Sequence, residues 1–266
     1  MEYFDTHAHY DDSAFDNDRE ETIKKIFEAG VTNCINVGCN LETSKKAVEI
    51  AKEHSFIYAI CGIHPSEIGL SEKQIDEDIL QIKDLIKQNK KVVAIGEIGL
   101  DYHYEDGPSH LLQQYAFCKQ IELANELDLP ISIHTRDAID DTIAIIRNNP
   151  IKNGGVLHCC PFNRELVRHG LEQNLHIAFG GTATFKNAKN AEEIVNMVPE
   201  SRILIETDCP YLAPEPFRGT RNDSSNLKYV VRKLAEFRGT EADYIAKQTY
   251  KNATNLFLNK MEVNKC

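Results

Sequence analysis

Short apolar runs alternate along the chain with longer segments in which apolar residues recur every three or four positions. The short runs have the length and composition of buried strands, whereas the longer segments have the period of an amphipathic helix. Each strand and the helix after it form a unit of roughly 30 residues, which is typical of a parallel sheet with crossover helices. Eight strands are predicted near residues 3–8, 32–37, 56–61, 91–97, 130–134, 154–159, 175–180 and 202–207.

The first helical segment shows how the sequence marks both ends of an element. The side chains of residues 16–18 supply N-cap oxygens, and Ile23, Ile26 and Phe27 form an apolar stripe. Gly30 ends the helix at a position that favours a left-handed residue. Similar stripes predict helices after Ser71, over residues 108–127 with Leu111 on the apolar face, and at 224–238 and 241–259.

These units predict an α/β fold, the (β/α)8 TIM barrel, as one domain over residues 1–266. Eight strands close such a barrel, and about 250 residues is its typical length. The alternative is a doubly wound open sheet, which normally places a glycine-rich phosphate turn after its first strand. Here the first predicted strand ends in His7-Ala8-His9, so the sequence favours the barrel.

Metal-binding residue types stand at the ends of the predicted strands. One histidine in such a place is more typical of structural hydrogen bonding, but here four histidines and two acids share that position. The carboxyl ends of all the strands meet at one barrel mouth, where unpaired polar groups are costly unless they bind something. The predicted metal ligands are His7, His9, Glu97, His134, His158 and Asp208.

The alternation of side chains along a strand supports this convergence. His7 and His9 share one parity, so both can face the same ion from the barrel mouth. His134 is in phase with Ser132, whereas Ile131 and Ile133 point toward the helices. His158 is likewise in phase with Val156 and out of phase with Leu157.

Six ligands exceed the three that a catalytic zinc usually takes from a protein, and they suit two cations that share a carboxylate. Glu97 lies in the middle of the strand order and is the predicted bridge. Together with Asp208, which would accept a proton from water, it is predicted to be catalytic. Mixed imidazole and carboxylate ligation favours Zn, Mn, Co or Ni over Mg, and the identity of the two divalent cations stays open. No organic cofactor is predicted.

Five polar residues beside these strand ends are predicted to bind the substrate, in particular a phosphate. An arginine fork can bind phosphate through two parallel hydrogen bonds. For the two arginines in the loop beyond Asp208, a solvated charge without a role is the alternative interpretation. The predicted residues are His64, Asp101, Arg136, Arg218 and Arg221.

Charge and cysteine content narrow the class of protein. The net charge of −11 argues against a broad basic surface that grips duplex DNA, although bound cations can reverse the sign locally. The 8 cysteines show no CxxC spacing and are predicted to be reduced thiols in the cytoplasm. A zinc knuckle at Cys159-Cys160 is the alternative to a strand of small apolar residues. Neither a signal peptide nor an apolar stretch of the ~20 residues that span a bilayer is predicted.

The motifs around these residues resemble those of the TatD family, within the amidohydrolase-like barrels. They run in order from residue 4 to about residue 258, and as a set they are specific. The motifs are Asp5-Thr6-His7-Ala8-His9, Gly62-Ile63-His64-Pro65, Gly96-Glu97-Ile98-Gly99-Leu100-Asp101-Tyr102, Ile133-His134-Thr135-Arg136-Asp137-Ala138, Gly155-Val156-Leu157-His158-Cys159, Glu206-Thr207-Asp208-Cys209-Pro210-Tyr211-Leu212-Ala213-Pro214 and Asn252-Ala253-Thr254-Asn255-Leu256-Phe257.

The resemblance implies a metal-dependent hydrolase and a DNA substrate, because characterised members are deoxyribonucleases. It also implies that one metal is held by His7, His9, Glu97 and Asp208, and the other by Glu97, His134 and His158. The chain departs from the family in two mouth loops, which concern the substrate rather than the metals. Cys160-Pro161-Phe162-Asn163 replaces an aromatic residue followed by Ser-Gly, and Asn222-Asp223-Ser224 replaces Asn-Glu-Pro.

The predicted function is a two-metal phosphodiesterase that hydrolyses DNA from an end or as single strands. The alternative is a hydrolase of a small-molecule amide, lactone or ester, because one barrel can host many chemistries. In many such relatives a modified lysine bridges the metals, whereas Glu97 stands at that position here. A third interpretation is a metal barrel used only for binding, which the open coordination positions of the ligand set disfavour.

Overall fold

The computed structural model describes residues 1–259 and confirms the predicted (β/α)8 barrel. Eight parallel strands are hydrogen-bonded to one another in chain order. The predicted domain extends to residue 266, but residues 260–266, which include Cys266, lie outside the described residues. The strands are β1 Tyr3–Ala8, β2 Val31–Val37, β3 Ile57–Cys61, β4 Val92–Asp101, β5 Ile131–Arg136, β6 Gly155–Leu157, β7 Leu175–Phe179 and β8 Ile203–Ile205.

The helices alternate with these strands and surround them. Four of them begin at an Asn or Ser whose side chain accepts a backbone N–H of the first turn, namely Asn40, Ser71, Ser109 and Asn163. The helices are α1 Arg19–Glu28, α2 Leu41–Glu53, α3 Glu72–Lys87, α4 His110–Glu126, α5 Ile139–Asn148, α6 Arg164–Glu172, α7 Ala191–Met197, α8 Leu227–Arg238 and α9 Ala242–Phe257.

The barrel closes where β1 meets the segment after β8. The His9 N–H donates to the Cys209 carbonyl at 2.8 Å, and the Asp208 N–H donates to the His7 carbonyl at 2.9 Å. Below this junction the buried Asp5 carboxylate accepts the backbone N–H and the hydroxyl of Thr207 at 3.0 and 2.5 Å. Closure therefore brings the two ends of the sequence together at the mouth.

Side chains that alternate along each strand form two apolar layers, one inside the barrel and one between the strands and the helices. The barrel interior contains Phe4, Val156 and Leu204 among others, and α9 covers its lower end by packing Phe257 against Phe4. The outer layer, between strands and helices, contains Ile131, Ile133 and Leu157. This division confirms the prediction that Ile131, Ile133 and Leu157 face the helices while Val156 faces the barrel interior. Residues in phase with Val156 and Ser132 can therefore face the barrel mouth.

Strand β4 is longer than predicted, because it runs to Asp101 rather than ending near residue 97. Its register with β5 slips between Ile95 and Ile98, so that Gly96 and Glu97 stand opposite the single residue Ser132. Such a bulge bends the strand and re-aims a side chain, and here it turns Glu97 into the mouth. Pairing with β5 extends the strand through a glycine-containing segment that has no strand signal of its own.

Three details of the predicted helices are wrong. Phe27 is 53% exposed and Leu111 78% exposed, so neither lies on a buried stripe. Phe27 packs at the surface against Phe56, with ring centroids 5.1 Å apart. The Asp18 side chain makes no capping hydrogen bond to α1, because Arg221 binds its carboxylate instead.

The cysteines of the described part are free thiols. Cys159 and Cys160 follow β6 in a loop rather than lying in the strand, and neither belongs to a candidate metal group among residues 1–259. The predicted cytoplasmic location stays a prediction. Over the same residues, none of the helices has the length and apolar character needed to cross a membrane.

Candidate metal centre

The six predicted ligands meet at the mouth of the barrel. His7 lies in β1 and His9 directly follows it, Glu97 lies on the β4 bulge, and His134 lies in β5. His158 and Asp208 stand in the loops that follow β6 and β8. His7 is fully buried, and the other five line a cavity of about 860 Å³ that opens to solvent.

The first half of the centre consists of His7, His9 and Asp208 around one oxygen of Glu97. The two Nε2 atoms of His7 and His9 lie 3.2 Å apart. Glu97 Oε2 is 3.3 Å from His7 Nε2, and Asp208 Oδ1 is 3.4 Å from His9 Nε2. Four donor atoms therefore surround one small space, as the ligands of a single cation do.

The second half consists of His134 and His158 around the other oxygen of Glu97. Glu97 Oε1 lies 2.8 Å from both His134 Nδ1 and His158 Nε2. These two nitrogens are 3.4 Å from each other. The Glu97 carboxylate thus presents one oxygen to each half.

The charge state of both carboxyls suits metal ligation. Burial alone would raise the pKa of Glu97, but the charges of His158 and His7 bring that pKa well below its ordinary value. Burial also opposes ionisation of Asp208, yet the hydrogen bond from His9 and the nearby histidine charges lower its pKa overall. Both groups are therefore carboxylates at neutral pH, the form that binds cations.

The tautomer of His9 tests whether a cation fits the first half. His9 Nδ1 lies 2.8 Å from the Val37 carbonyl oxygen, which can only accept, so Nδ1 carries the proton of the neutral ring. The ring with Nδ1 protonated can offer a lone pair on Nε2 to the space shared with His7 Nε2. Burial opposes a second proton on His9, but Cys39 and Asp208 raise its pKa overall, so that Nε2 can also hold a proton that it donates to Asp208. A cation bound by His9 Nε2 and Asp208 would replace that proton.

Carboxylates stand behind the imidazoles of the second half. Asp101 Oδ2 is 3.3 Å from His134 Nε2, and Glu206 Oε1 is 3.4 Å from His158 Nδ1. Asp101, which was predicted to bind substrate, lines the cavity and also stands behind His134. Acids behind ligating histidines orient the ring and raise its basicity.

Three of the other predicted substrate residues lie around the cavity. His64 Nε2 is 3.8 Å from Glu97 Oε1, and burial with the charge of His134 lowers the pKa of His64 to about 3, so its ring is neutral. Arg136 lies on the cavity wall. Arg218 stacks on the wall residue Phe185, with the guanidinium carbon 4.2 Å from the ring centre.

Arg221 is not brought to the cavity. Its guanidinium binds both oxygens of Asp18 at 2.7 and 2.5 Å, and it donates to the Ala14 carbonyl at 2.6 Å. The neighbouring Asn222 is fully buried and donates to the carbonyls of Thr207 and Tyr211. The loop after β8 is thus fastened to the start of the chain at this point.

Sequence reasoning assigned no role to three residues of the centre. Glu206 stands two positions before Asp208 in the same motif, and this spacing could have indicated that it faces the centre. Asp5 shares the parity of His7, which could have indicated the same for Asp5. Cys39 has no such signal, yet its Sγ lies 4.0 Å from Glu97 Oε2, and the ligand atoms of Cys39, His9 and Glu97 lie within 4.8 Å of one another.

The chain is similar to known proteins over nearly its whole length. The sequence model of the family described as "TatD related DNase" matches residues 4–258. A protein of Bacillus subtilis (strain 168) named as an uncharacterized metal-dependent hydrolase, YabD, is 43% identical over 96% of this chain and 98% of its own length. A Shigella flexneri protein named 3'-5' ssDNA/RNA exonuclease TatD is 29% identical over 96% of this chain and 98% of its own.

A solved structure has the same architecture. It is that of YjjV, a TatD homologue from Escherichia coli K12, which superposes with a TM-score of 0.88 at 30% sequence identity. The match covers 96% of this chain and 97% of that one.

Proposed function

The chain belongs to the TatD-related DNase family of metal-dependent hydrolases, and on that premise we propose that it is a two-metal phosphodiesterase acting on single-stranded DNA or DNA ends. One observation carries the two-metal part, namely that the two oxygens of Glu97 face separate groups of ligands. The family description and the exonuclease name of the Shigella relative support DNA as the substrate.

His7, His9 and Asp208 would hold one divalent cation with Glu97 Oε2, and His134 and His158 would hold the other with Glu97 Oε1. Bound there, the two cations would draw charge from a scissile phosphate and lower the pKa of a water molecule beside it. Imidazole ligands on both sides favour Zn, Mn, Co or Ni over Mg. The cavity wall leaves room beside both groups, as a catalytic rather than a structural site requires.

Asp208 is the proposed proton acceptor. Its carboxylate lies on the cavity wall and is ionised at neutral pH. As the oxygen of water bonds to phosphorus, the bond from phosphorus to the leaving oxygen breaks, and an Asp208 oxygen takes the proton that the water gives up. The Asp208 N–H donates to the His7 carbonyl, which keeps the side chain beside the ligands of the first half.

Arg136, Arg218 and His64 are the proposed contacts to the phosphates of the substrate. Arg136 lies on the cavity wall beside Tyr104, Arg218 stacks on the wall residue Phe185, and His64 is next to the bridging carboxylate. Arg221 is not part of this set, because Asp18 occupies both arms of its guanidinium.

Metal removal and hydrolysis of labelled strands test the proposal together. The purified protein is analysed for bound metal, treated with EDTA, and assayed on single strands labelled at the 5′ or 3′ end. EDTA should abolish hydrolysis, and Mn or Co should restore it better than Ca, which prefers oxygen ligands.

Full activity in metal-free protein would overturn the proposed centre. Turnover of an ester or lactone without hydrolysis of any phosphodiester would instead support the small-molecule hydrolase.

A further inference from the structure

The two sides of the cavity mouth carry different charge. The loops after β7 and β8 contribute the exposed cations Lys186, Lys189 and Arg218. Within residues 1–259 none of these three has an ion-pair partner, in a chain whose net charge is −11. Cations without acidic partners at the edge of an otherwise acidic protein indicate a surface for anions.

Arg218 joins this charge to the cavity wall. It stacks on Phe185, and its Nη1 donates to Asn187 Oδ1 at 3.3 Å. Phe185 and Asn187 both line the cavity that contains the candidate metal centre. We call Phe185, Lys186, Lys189 and Arg218 the basic edge.

Acids near the basic edge are engaged elsewhere or outnumbered. Glu193, in the first turn of α7, binds Arg164. Glu215 lines a separate groove of about 210 Å³ together with Arg232 and Lys233. Among residues 1–259 neither Glu192 nor Glu215 has an ion-pair partner, so the three cations outnumber two unpaired carboxylates.

The opposite side, formed by the loops after β4 and β5, is acidic. Its exposed residues include Glu105, Asp106 and Asp137, and Asp137 Oδ2 lies 2.8 Å from His103 Nδ1. Arg136 is the cation that reaches the cavity there, and it lies over the ring of Tyr104 at 5.5 Å. A polyanion would find one contact on this side and several carboxylates around it.

We propose that a DNA single strand leaves the metal centre over the basic edge alone, with a base stacked on Phe185 and phosphates held by Lys186, Lys189 and Arg218. The acidic side repels phosphates, so the strand cannot continue across it. The strand therefore ends on that side of the cavity, next to Tyr104 and Arg136. This inference rests on the proposed function. It adds the side of the cavity mouth over which the strand leaves and the reason why hydrolysis starts at a strand end. Aromatic rings with flanking cations are the usual elements of single-strand binding.

The test compares a long and a short substrate in one variant. The double variant Lys186→Ala, Lys189→Ala should raise KM for an oligo-dT strand of about 12 nucleotides by about tenfold. It should leave the hydrolysis of bis(4-nitrophenyl) phosphate unchanged, because that diester is too short to reach these two lysines. The slope of log KM against log salt should fall by about 1.4, since each phosphate contact on a single strand contributes about 0.7.

Phe185→Leu separates stacking from charge. It keeps an apolar side chain on the wall but removes the ring, so KM for the oligonucleotide should rise about tenfold with an unchanged salt slope. Lys45→Ala, which removes an exposed cation from α2, is the matched control and should change neither substrate.

Binding of a fluorescent oligonucleotide to EDTA-treated protein keeps this inference distinct from the proposed function. If the wild type cleaves DNA and the double variant does so with the same KM, the basic edge is overturned and the function stands. If the wild type binds the strand through the basic edge but cleaves no phosphodiester, the function is overturned and the binding surface stands. A double variant that also loses hydrolysis of the small diester would show damage to the metal centre and overturn the assignment.

Discussion

The two halves of the candidate metal centre share Glu97 but differ in what stands behind their imidazoles. In the first half His9 is backed by the neutral carbonyl of Val37, and the negative charge comes from Asp208 within the group itself. In the second half the imidazoles of His134 and His158 are backed by carboxylates, and Glu97 is the carboxylate that lies between the two rings.

The difference shows two ways of supplying charge to a cation. A carboxylate ligand supplies it directly, whereas a carboxylate behind a histidine acts through the ring and raises its basicity. The direct route leaves Asp208 on the cavity wall and available for proton transfer, while the indirect route buries Glu206 and keeps it from the substrate. The halves should therefore respond differently to substitution.

Glu97→Ala should give the largest effect, because it removes the residue that both halves share. We expect loss of both cations, or at least of half the bound metal, together with near-total loss of activity. Metal analysis of the purified variant measures this, and a circular dichroism spectrum shows whether the barrel is intact. Glu67→Ala, on the same cavity wall, is the control. Two cations per chain in Glu97→Ala would show that the bridge is misassigned.

Asp208→Asn should affect catalysis more than binding, which would set the first half apart as the reactive one. The change keeps the shape and one oxygen but removes the charge and the proton acceptor. Loss of a general base lowers kcat by ~10²–10⁴-fold with little change in KM. Metal content is measured in the same sample, because Asp208 is also a proposed ligand. A fully metallated variant with unchanged kcat would exclude the role of proton acceptor.

Glu206→Gln should weaken only the second half. Gln retains an oxygen for the Cys159 N–H, which Glu206 Oε1 accepts at 2.5 Å, but it removes the charge behind His158. Loss of such a partner typically costs about 10–100-fold in metal affinity. Titration of apo-protein with Zn or Co should show one tight and one weakened site, with Glu67→Gln as the control. Equal weakening of both sites would mean that the halves are not independent.

The sequence predicted the barrel and the convergence of the six candidate ligands because both follow from local signals. Alternating apolar runs with helical stripes determine the class of fold, and the position of His134 or His158 relative to a strand end determines the side that it faces. The register slip that aims Glu97 into the mouth could not be predicted, since it depends on pairing with β5.

The conformation of the mouth loops also could not be predicted from the sequence. Several of their residues adopt positive φ, including types that rarely do so, such as Cys159, Phe162 and Leu212. Their conformation is imposed by the surrounding packing rather than by their own preference. The Arg221–Asp18 ion pair could not be predicted either, because it joins residues 203 positions apart. In this pair Arg221, a predicted phosphate ligand, holds the loop after β8 against the loop after β1.

Cys39→Ser should give the smallest effect, and it concerns a donor that lies beside the first half. The thiol lies on the Oε2 side of Glu97, close to His9, so the first half has a sulfur donor available, whereas no cysteine of residues 1–259 is grouped with His134 or His158. Sulfur favours Zn and Co over Mn, so replacing it with oxygen should reduce the preference for Zn over Mn roughly threefold. Activity is a poor measure of so small a change, whereas the absorption of the Co-loaded protein is a direct one, because a Co–thiolate bond gives a charge-transfer band in the near ultraviolet. That band should be present in the wild type and absent from Cys39→Ser, with Cys118→Ser, on the outer helix α4, as the control. A wild-type spectrum without the band would show that Cys39 only lines the wall, and the first half would then differ from the second by Asp208 and the Val37 carbonyl alone.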